Sequence, residues 1–155
     1  MWIGLVRRGE RGASAVEYAL LTPAFLLLTF LIIQAGMYYY ARSVAQSVAE
    51  DSSRAARSAQ LTASAINDPA AQQLPSQSEL QTLAQAGADR SIAALDPNHS
   101  FLRGPITVRA SVVGGYNQLM VTVEGTSANL VPFLHMRVRA QSSGPIEIFK
   151  NPGTN

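Results

Sequence analysis

The sequence predicts an α+β protein: one very long helix at the start, then a small head of one further helix and a 3–4-stranded antiparallel sheet. Three observations carry this. Residues 13–66 hold helical spacing with only Pro23 and Gly36 as interruptions. Asn67-Asp68-Pro69 then breaks the pattern. From Gly104 onward the apolar period changes from helical to strictly alternating.

The first part of the long helix is charge-free from Tyr18 to Ala41, interrupted only by the polar Thr22, Thr29 and Gln34. A membrane-crossing helix needs about 20 such residues, so residues 13–41 are expected to span a bilayer. Pro23 lies one turn inside, where it removes a hydrogen bond and is expected to kink the helix, a change membrane helices accept near their ends. Tyr38, Tyr39 and Tyr40 cluster at the far end, as aromatic side chains do at headgroup level. Arg7, Arg8 and Arg11 precede the span, opposed only by Glu10. Basic flanks stay in the cytoplasm, so the segment is read as a single pass through a membrane. Its N-terminus is then inside and its head outside, with lipid as the first partner. A cleaved secretory signal fits less well: its apolar core would be about 7–15 residues, and Ser47-Val48-Ala49, the nearest cleavage-like triplet, lies well past the tyrosines.

Residues 42–66 continue the helix outside the membrane. Ala41, Val44, Ala45, Val48, Ala49, Ala55, Ala56 and Ala59 recur on one side, with Ser52 in the same stripe. Small residues there permit close helix packing, either on the chain's own head or on another subunit. Span and continuation together give a helix of about 80 Å at ~1.5 Å per residue.

The head is read as residues 67–150, followed by a flexible tail over 151–155. Ser76 and Glu79 form a capping-box pair. Leu80, Leu83, Ala84, Gly87, Ile92 and Leu95 follow at imperfect helical spacing, until Asp96-Pro97-Asn98 ends the helix. Ile106, Val108, Ala110 and Val112 alternate with Thr107, Arg109 and Ser111. Gly114-Gly115-Tyr116-Asn117 is turn-forming, and Leu119, Val121 and Val123 alternate again up to Glu124-Gly125. A third strand is expected from His135 to Gln141, with Met136, Val138 and Ala140 on one face. Ile146 and Ile148 could add a short edge strand. One sheet face must be covered, and the long helix and the second helix are the available cover.

Composition narrows function. The chain has 155 residues, no cysteine, 14% charged residues and a net charge of +2. No disulfide framework or thiolate metal site is possible. No Lys/Arg block is expected to cover a folded face, so nucleic acid is not expected as a partner. His99 and His135 are isolated, and no phosphate loop, nucleophile elbow or ligand cluster occurs. No catalysis, cofactor, metal or small-molecule substrate is therefore expected.

One charge remains unexplained. Glu17 stands at the mouth of the apolar span, where a carboxylate is costly unless solvated or paired. It could lie solvated at the membrane interface, but its context suggests more. Arg11-Gly12-Ala13-Ser14-Ala15-Val16-Glu17-Tyr18-Ala19-Leu20, with Pro23, Gly36 and Tyr39 beyond, resembles the start of TadE-like proteins, minor pseudopilins of Tad/Flp tight-adherence pilus systems. A glycine, four residues and Glu-Tyr form the type IVb prepilin pattern. Val121-Thr122-Val123, Leu130-Val131-Pro132 and Val138-Arg139-Ala140 resemble, more loosely, the end of such a domain.

The resemblance implies that residues 1–12 are a leader, removed after Gly12 by a prepilin peptidase. Ala13 would become the first residue and Glu17 the fifth. Glu17 and Tyr18 would be the processing and assembly pair, Glu17 offsetting the new amine in its own subunit or in a neighbour. The partners implied are other Tad pilins and pseudopilins and assembly-platform proteins, and the membrane implied is the bacterial cytoplasmic one, with the chain in or at the base of a pilus. The net +2 resides in the leader, three arginines against one glutamate, so removal would leave neutral side chains overall. Two other readings fit the span: an uncleaved, membrane-anchored binding module of the envelope, and a type II secretion pseudopilin. The adjacent Glu-Tyr pair resembles the Tad branch more closely.

Overall fold

The computed structural model describes residues 10–67, 76–113, 118–131 and 134–146, without the side chains of 10–14 and 59–67. Five elements follow in order: α1 (Glu10–Asn67), α2 (Gln77–Leu95), β1 (Leu102–Val113), β2 (Gln118–Ser127) and β3 (Arg137–Pro145). This is the expected α+β arrangement, with an antiparallel sheet of order β1-β2-β3.

α1 runs unbroken through Pro23. Gln34, Ala41, Val44, Ala45, Val48, Ala49, Ser52, Ser53 and Ala56 are buried, and Met37 and Tyr38 are half-buried between them. The three- and four-residue steps put all of them on one stripe. That stripe lies against β2, β3 and α2, while α2 covers β1. The small-residue stripe therefore packs on the chain's own head. Ala55 is half-buried beside it, and the side chain of Ala59 lies outside the described residues.

Small residues set how closely the helices meet. A Cβ built on Gly87 would lie 2.8 Å from Ala55 Cβ and 3.0 Å from Ser52 Cα. The crossing thus brings α2 backbone almost onto α1 backbone. One turn further along, Ser91 Oγ donates to Asp51 Oδ2 at 2.5 Å.

α2 starts as its sequence indicates, Ser76 Oγ accepting from the Glu79 amide at 3.3 Å. Leu80, Ala84, Gly87, Ala88, Ser91 and Ile92 face inward, but Leu95 is exposed, because the helix ends at that turn and points its last residue away from the sheet. The stop itself is built by Asp96. Its carboxylate accepts from the amides of Ser100 at 2.7 Å, Phe101 at 3.1 Å and Leu102 at 2.9 Å. One side chain both ends α2 and starts β1. Within that turn His99 is exposed with φ +49°, a left-handed conformation histidine tolerates better than most residues.

The sheet's inner face carries Val108, Ala110, Leu119, Val121, Val123, Val138 and Ala140, all buried. Val108 pairs with Val123, and Val123 with Ala140, so one layer crosses all three strands. Val112 is exposed and Ile106 only half-buried, since β1 outruns its helical cover. A bulge between Arg103 and Thr107 reaccommodates the register, at Gly104 with φ +78°.

Several strand limits differ from the sequence reading. β2 continues past Glu124-Gly125 to Ser127, because Gly125 keeps its ladder position opposite Val138, close under Leu102. β3 begins at Arg137 rather than His135 and extends to Pro145, beyond Gln141, since Gln118 through Met120 still offer ladder partners. Ile146 is buried beyond the strand. Ile148, the turn at residues 114–117, the linker 68–75 and the tail 151–155 lie outside the described residues.

The free edge of β1 is closed by side chains. Gln81 Nε2 donates to Val108 O at 2.6 Å while its Oε1 accepts from Ala110 N at 2.8 Å, and Gln77 Nε2 donates to Ala110 O at 2.9 Å. α2 thereby occupies positions through which an edge strand would recruit a foreign strand.

The outer face corrects one expectation. Arg103, Arg109, Arg137 and Arg139 all lie exposed on it, with Glu124 beside Arg139 at 3.4 Å. Isolated in sequence, these arginines fall on one surface because each occupies an outward alternate of its strand.

Candidate functional site

Below the head, α1 stands free. Leu20, Phe25 and Ile32 are 71%, 68% and 64% exposed, and every large apolar residue from Val16 to Ile33 is exposed. The helix is apolar on all sides, a pattern that requires lipid or other helices around it. It is the one helix among the described residues long and apolar enough to cross a membrane; its most apolar stretch has a mean hydropathy of 2.1 and packs against nothing in the chain. Its threonine hydroxyls are already satisfied: Thr22 donates to Tyr18 O at 2.6 Å and Thr29 to Phe25 O at 2.9 Å. Such back-bonded groups suit a solvent that offers no hydrogen bonds.

Gly12 and Ala13 lie in the first turns of α1. Glu17 and Tyr18 follow on the free helix, both exposed, and Glu17 takes part in neither of the two ion pairs among the described residues. Ala13 and Glu17 are one turn apart, the spacing at which helix neighbours face each other. Arg7 and Arg8 lie outside the described residues, as does the side chain of Arg11.

Gln34 is the residue that sequence reasoning missed. Read as a tolerated polar interruption, it is fully buried at the lowest contact between helix and head. Its Nε2 donates to Ala128 O at 3.0 Å and its Oε1 accepts from Leu130 N at 2.8 Å. The signal was available: unlike Thr22 and Thr29, a glutamine cannot satisfy itself compactly on its own helix, and a polar residue in an apolar run asks for a partner. Above it, Tyr40 contacts Phe101 with ring centroids 4.4 Å apart. Replacing Gln34 by leucine is expected to cost about 2 kcal/mol, by leaving the Leu130 amide and the Ala128 carbonyl without this partner. Faster hydrogen exchange at the Leu130 amide, with little change at Val121, is the expected reading.

No group of three or more His, Cys, Asp or Glu is placed to hold a metal ion among the described residues. His99 lines an open depression with Gln85, Asp89 and Ile106, and His135 is exposed just ahead of β3.

A family model described as TadE-like protein matches residues 12–54. The match covers the free helix and most of the segment packed on the head, so this helix is similar to that of TadE-like proteins, a family of pilus components. No curated protein and no solved structure matches the chain.

Proposed function

We propose that the chain is a TadE-like minor pseudopilin, anchored by one N-in membrane helix, that takes part in assembly of a Tad/Flp pilus by helix packing rather than catalysis. The observation that supports this best is the conjunction on one element: a bare apolar helix, matched by the TadE-like family model, with Gly12, Glu17 and Tyr18 at its mouth.

In this reading a prepilin peptidase cuts between Gly12 and Ala13. The arginine-bearing leader stays behind, and a cationic α-amine appears at Ala13, one helical turn from Glu17. The apolar helix then moves from lipid into a bundle of sister helices with other Tad pilins and assembly-platform proteins. Glu17 is exposed in the single chain, and in that bundle it would become buried. A buried carboxylate without a partner costs about 3–5 kcal/mol, so Glu17 admits only packings that bring an amine to it. Helix N-termini favour negative charge as well, by about 0.3–1 kcal/mol.

Glu17→Ala is expected to insert normally and to lower recovery in pilus assemblies by about a hundredfold, the equivalent of roughly 3 kcal/mol. Glu17→Asp should fall between. Normal assembly of Glu17→Ala would show that no amine pairing operates. An uncleaved binding module would be equally indifferent to Glu17, and its residues 1–12 would persist.

A further inference from the structure

The base of the head carries apolar surface that its own core does not use. Leu130 and Leu134 are 48% and 36% exposed, in the segment between β2 and β3. Soluble loops of this kind are usually polar, and here residues 128–131 and 134 of the segment are held by hydrogen bonds. Gln34 grips it at Ala128 and Leu130, Ala128 N donates to Phe101 O at 2.8 Å, and Leu134 N donates to Val131 O at 3.1 Å. Leu130 therefore lies beside the point where α1 leaves the head, with Leu134 hydrogen-bonded to its neighbour Val131.

That point coincides with a physical boundary. From Ala13 to Ile33 the helix rises about 30 Å at ~1.5 Å per residue, which matches the hydrocarbon thickness of a bilayer. A span continued to Ala41 would sink Gln34 and its hydrogen-bonded loop roughly 10 Å into hydrocarbon. With the boundary at Gln34, Tyr39 and Tyr40 stand in the headgroup layer, where tyrosine is favoured.

Charge follows the same level. Arg103 and Arg137 flank Thr126 in the outward-facing register row nearest this loop, and both are exposed. The acid nearest in register, Glu124, lies one row further from the loop and faces Arg139.

We infer that the base of the head is a membrane foot: Leu130 and Leu134 enter the outer interface of the bilayer beside the helix, and Arg103 and Arg137 contact anionic phospholipid headgroups. The inference rests on the proposed membrane span and adds a second, lateral contact to it. The occupant is lipid because Gln34 holds Leu130 where the apolar length of α1 leaves the head, and Leu134 is hydrogen-bonded to the adjacent Val131. Two contacts would hold the head at a fixed tilt and delay its release from the membrane.

The chain has no cysteine, so single substitutions can carry a probe without a background. Leu130→Cys, Leu134→Cys, Ile32→Cys and Gln141→Cys, each labelled with an environment-sensitive fluorophore, are placed as full-length protein in phosphatidylcholine vesicles with and without phosphatidylglycerol. Lipid-borne quenchers should reach the probes at 32, 130 and 134. The probe at 141 should respond only to an aqueous quencher. Arg103→Glu combined with Arg137→Glu should reduce lipid quenching at 134 several-fold in phosphatidylglycerol vesicles and leave position 32 unchanged.

Lipid quenching at 32 with 130 and 134 behaving like 141 would overturn the foot while leaving the span intact. Disulfide formation between copies through Leu134→Cys, in place of lipid contact, would overturn it in favour of a subunit interface. Absence of lipid contact at 32 would remove the span and the foot together. Lipid contact at 134 that ignores the double charge reversal would overturn the arginine contact.

Discussion

Replacing Asp96 by alanine is expected to destabilise the head by about 3 kcal/mol, more than any other single polar substitution in it. Asp96 is 3% exposed, and its carboxylate accepts from three successive backbone amides, at Ser100, Phe101 and Leu102. Alanine would leave those donors unpaired at the point where α2 ends and β1 begins, the Leu102 amide being fully buried. Asp96→Asn keeps one acceptor oxygen but loses the charge, and should cost roughly half as much. Thermal melting of the head in detergent and hydrogen exchange at the Leu102 amide report both.

The same site sets an acid limit. Burial alone would raise the Asp96 carboxyl, but the three amide bonds from Leu102, Phe101 and Ser100, together with His99, outweigh it and hold it below the ordinary aspartate value. Because the folded state favours the ionised form, the stabilisation is complete above the unfolded value, about 3.9, and is lost as pH falls through the lower folded value. Stability of the head should therefore drop on acidification below about pH 4, and Asp96→Asn should flatten that part of the curve. An unchanged acid limb in Asp96→Asn would contradict the assignment.

Gly87→Leu should be comparably damaging. A Cβ at this position already meets Ala55 Cβ at 2.8 Å, Ser52 Cα at 3.0 Å and Asp51 O at 3.4 Å. Two of these three atoms belong to α1 backbone, which cannot swing aside as a long side chain does. Overpacking of a core costs about 1–3 kcal/mol, and here the helices must also separate, straining the Ser91–Asp51 hydrogen bond one turn away. A loss of about 3 kcal/mol is expected, with accelerated exchange throughout α2. Gly87→Ala sets the gain of about 1 kcal/mol in helix propensity against a smaller clash, and should cost much less. Shrinking the facing residue, Ala55→Gly, should recover part of the Gly87→Leu loss; no recovery would mean that the two helices do not meet there.

These sites show what a single sequence reveals. The long helix, its small-residue stripe and the Ser76 cap are local patterns, and each is found where its spacing places it. The inward alternates of the strands, Val108, Ala110, Leu119, Val121, Val123, Val138 and Ala140, were readable for the same reason. What escaped depends on contacts distant in sequence. Gln34 meets Ala128 and Leu130 across the length of the chain, and no periodicity announces that partnership. Asp96 was legible as a helix stop, but its threefold acceptor role depends on how the next six residues turn back. The four arginines of the outer sheet face came together only once register was set. The stripe illustrates a different gap: small residues at helical spacing fix a close approach without naming the partner, and here it is the chain's own head. The extension of β2 to Ser127 arises because a glycine, usually a strand terminator, sits opposite Val138 in an intact ladder.

The candidate site was legible in a similarly uneven way. Gly12, Glu17 and Tyr18 announce themselves by spacing beside a charge-free run. The roles proposed for them require an amine that would exist only after cleavage, and Glu17 lies exposed on the single chain. The account thus turns on the covalent state of the first residues.

The most direct test is the N-terminus of the full-length protein extracted from its native membrane, determined by intact mass and terminal peptide sequencing. The account predicts a chain beginning at Ala13, with the arginine-bearing leader absent and a free amine one helical turn from Glu17. A chain beginning at Met1 would contradict it, leaving Glu17 without its partner and the protein as an anchored module rather than a processed pseudopilin.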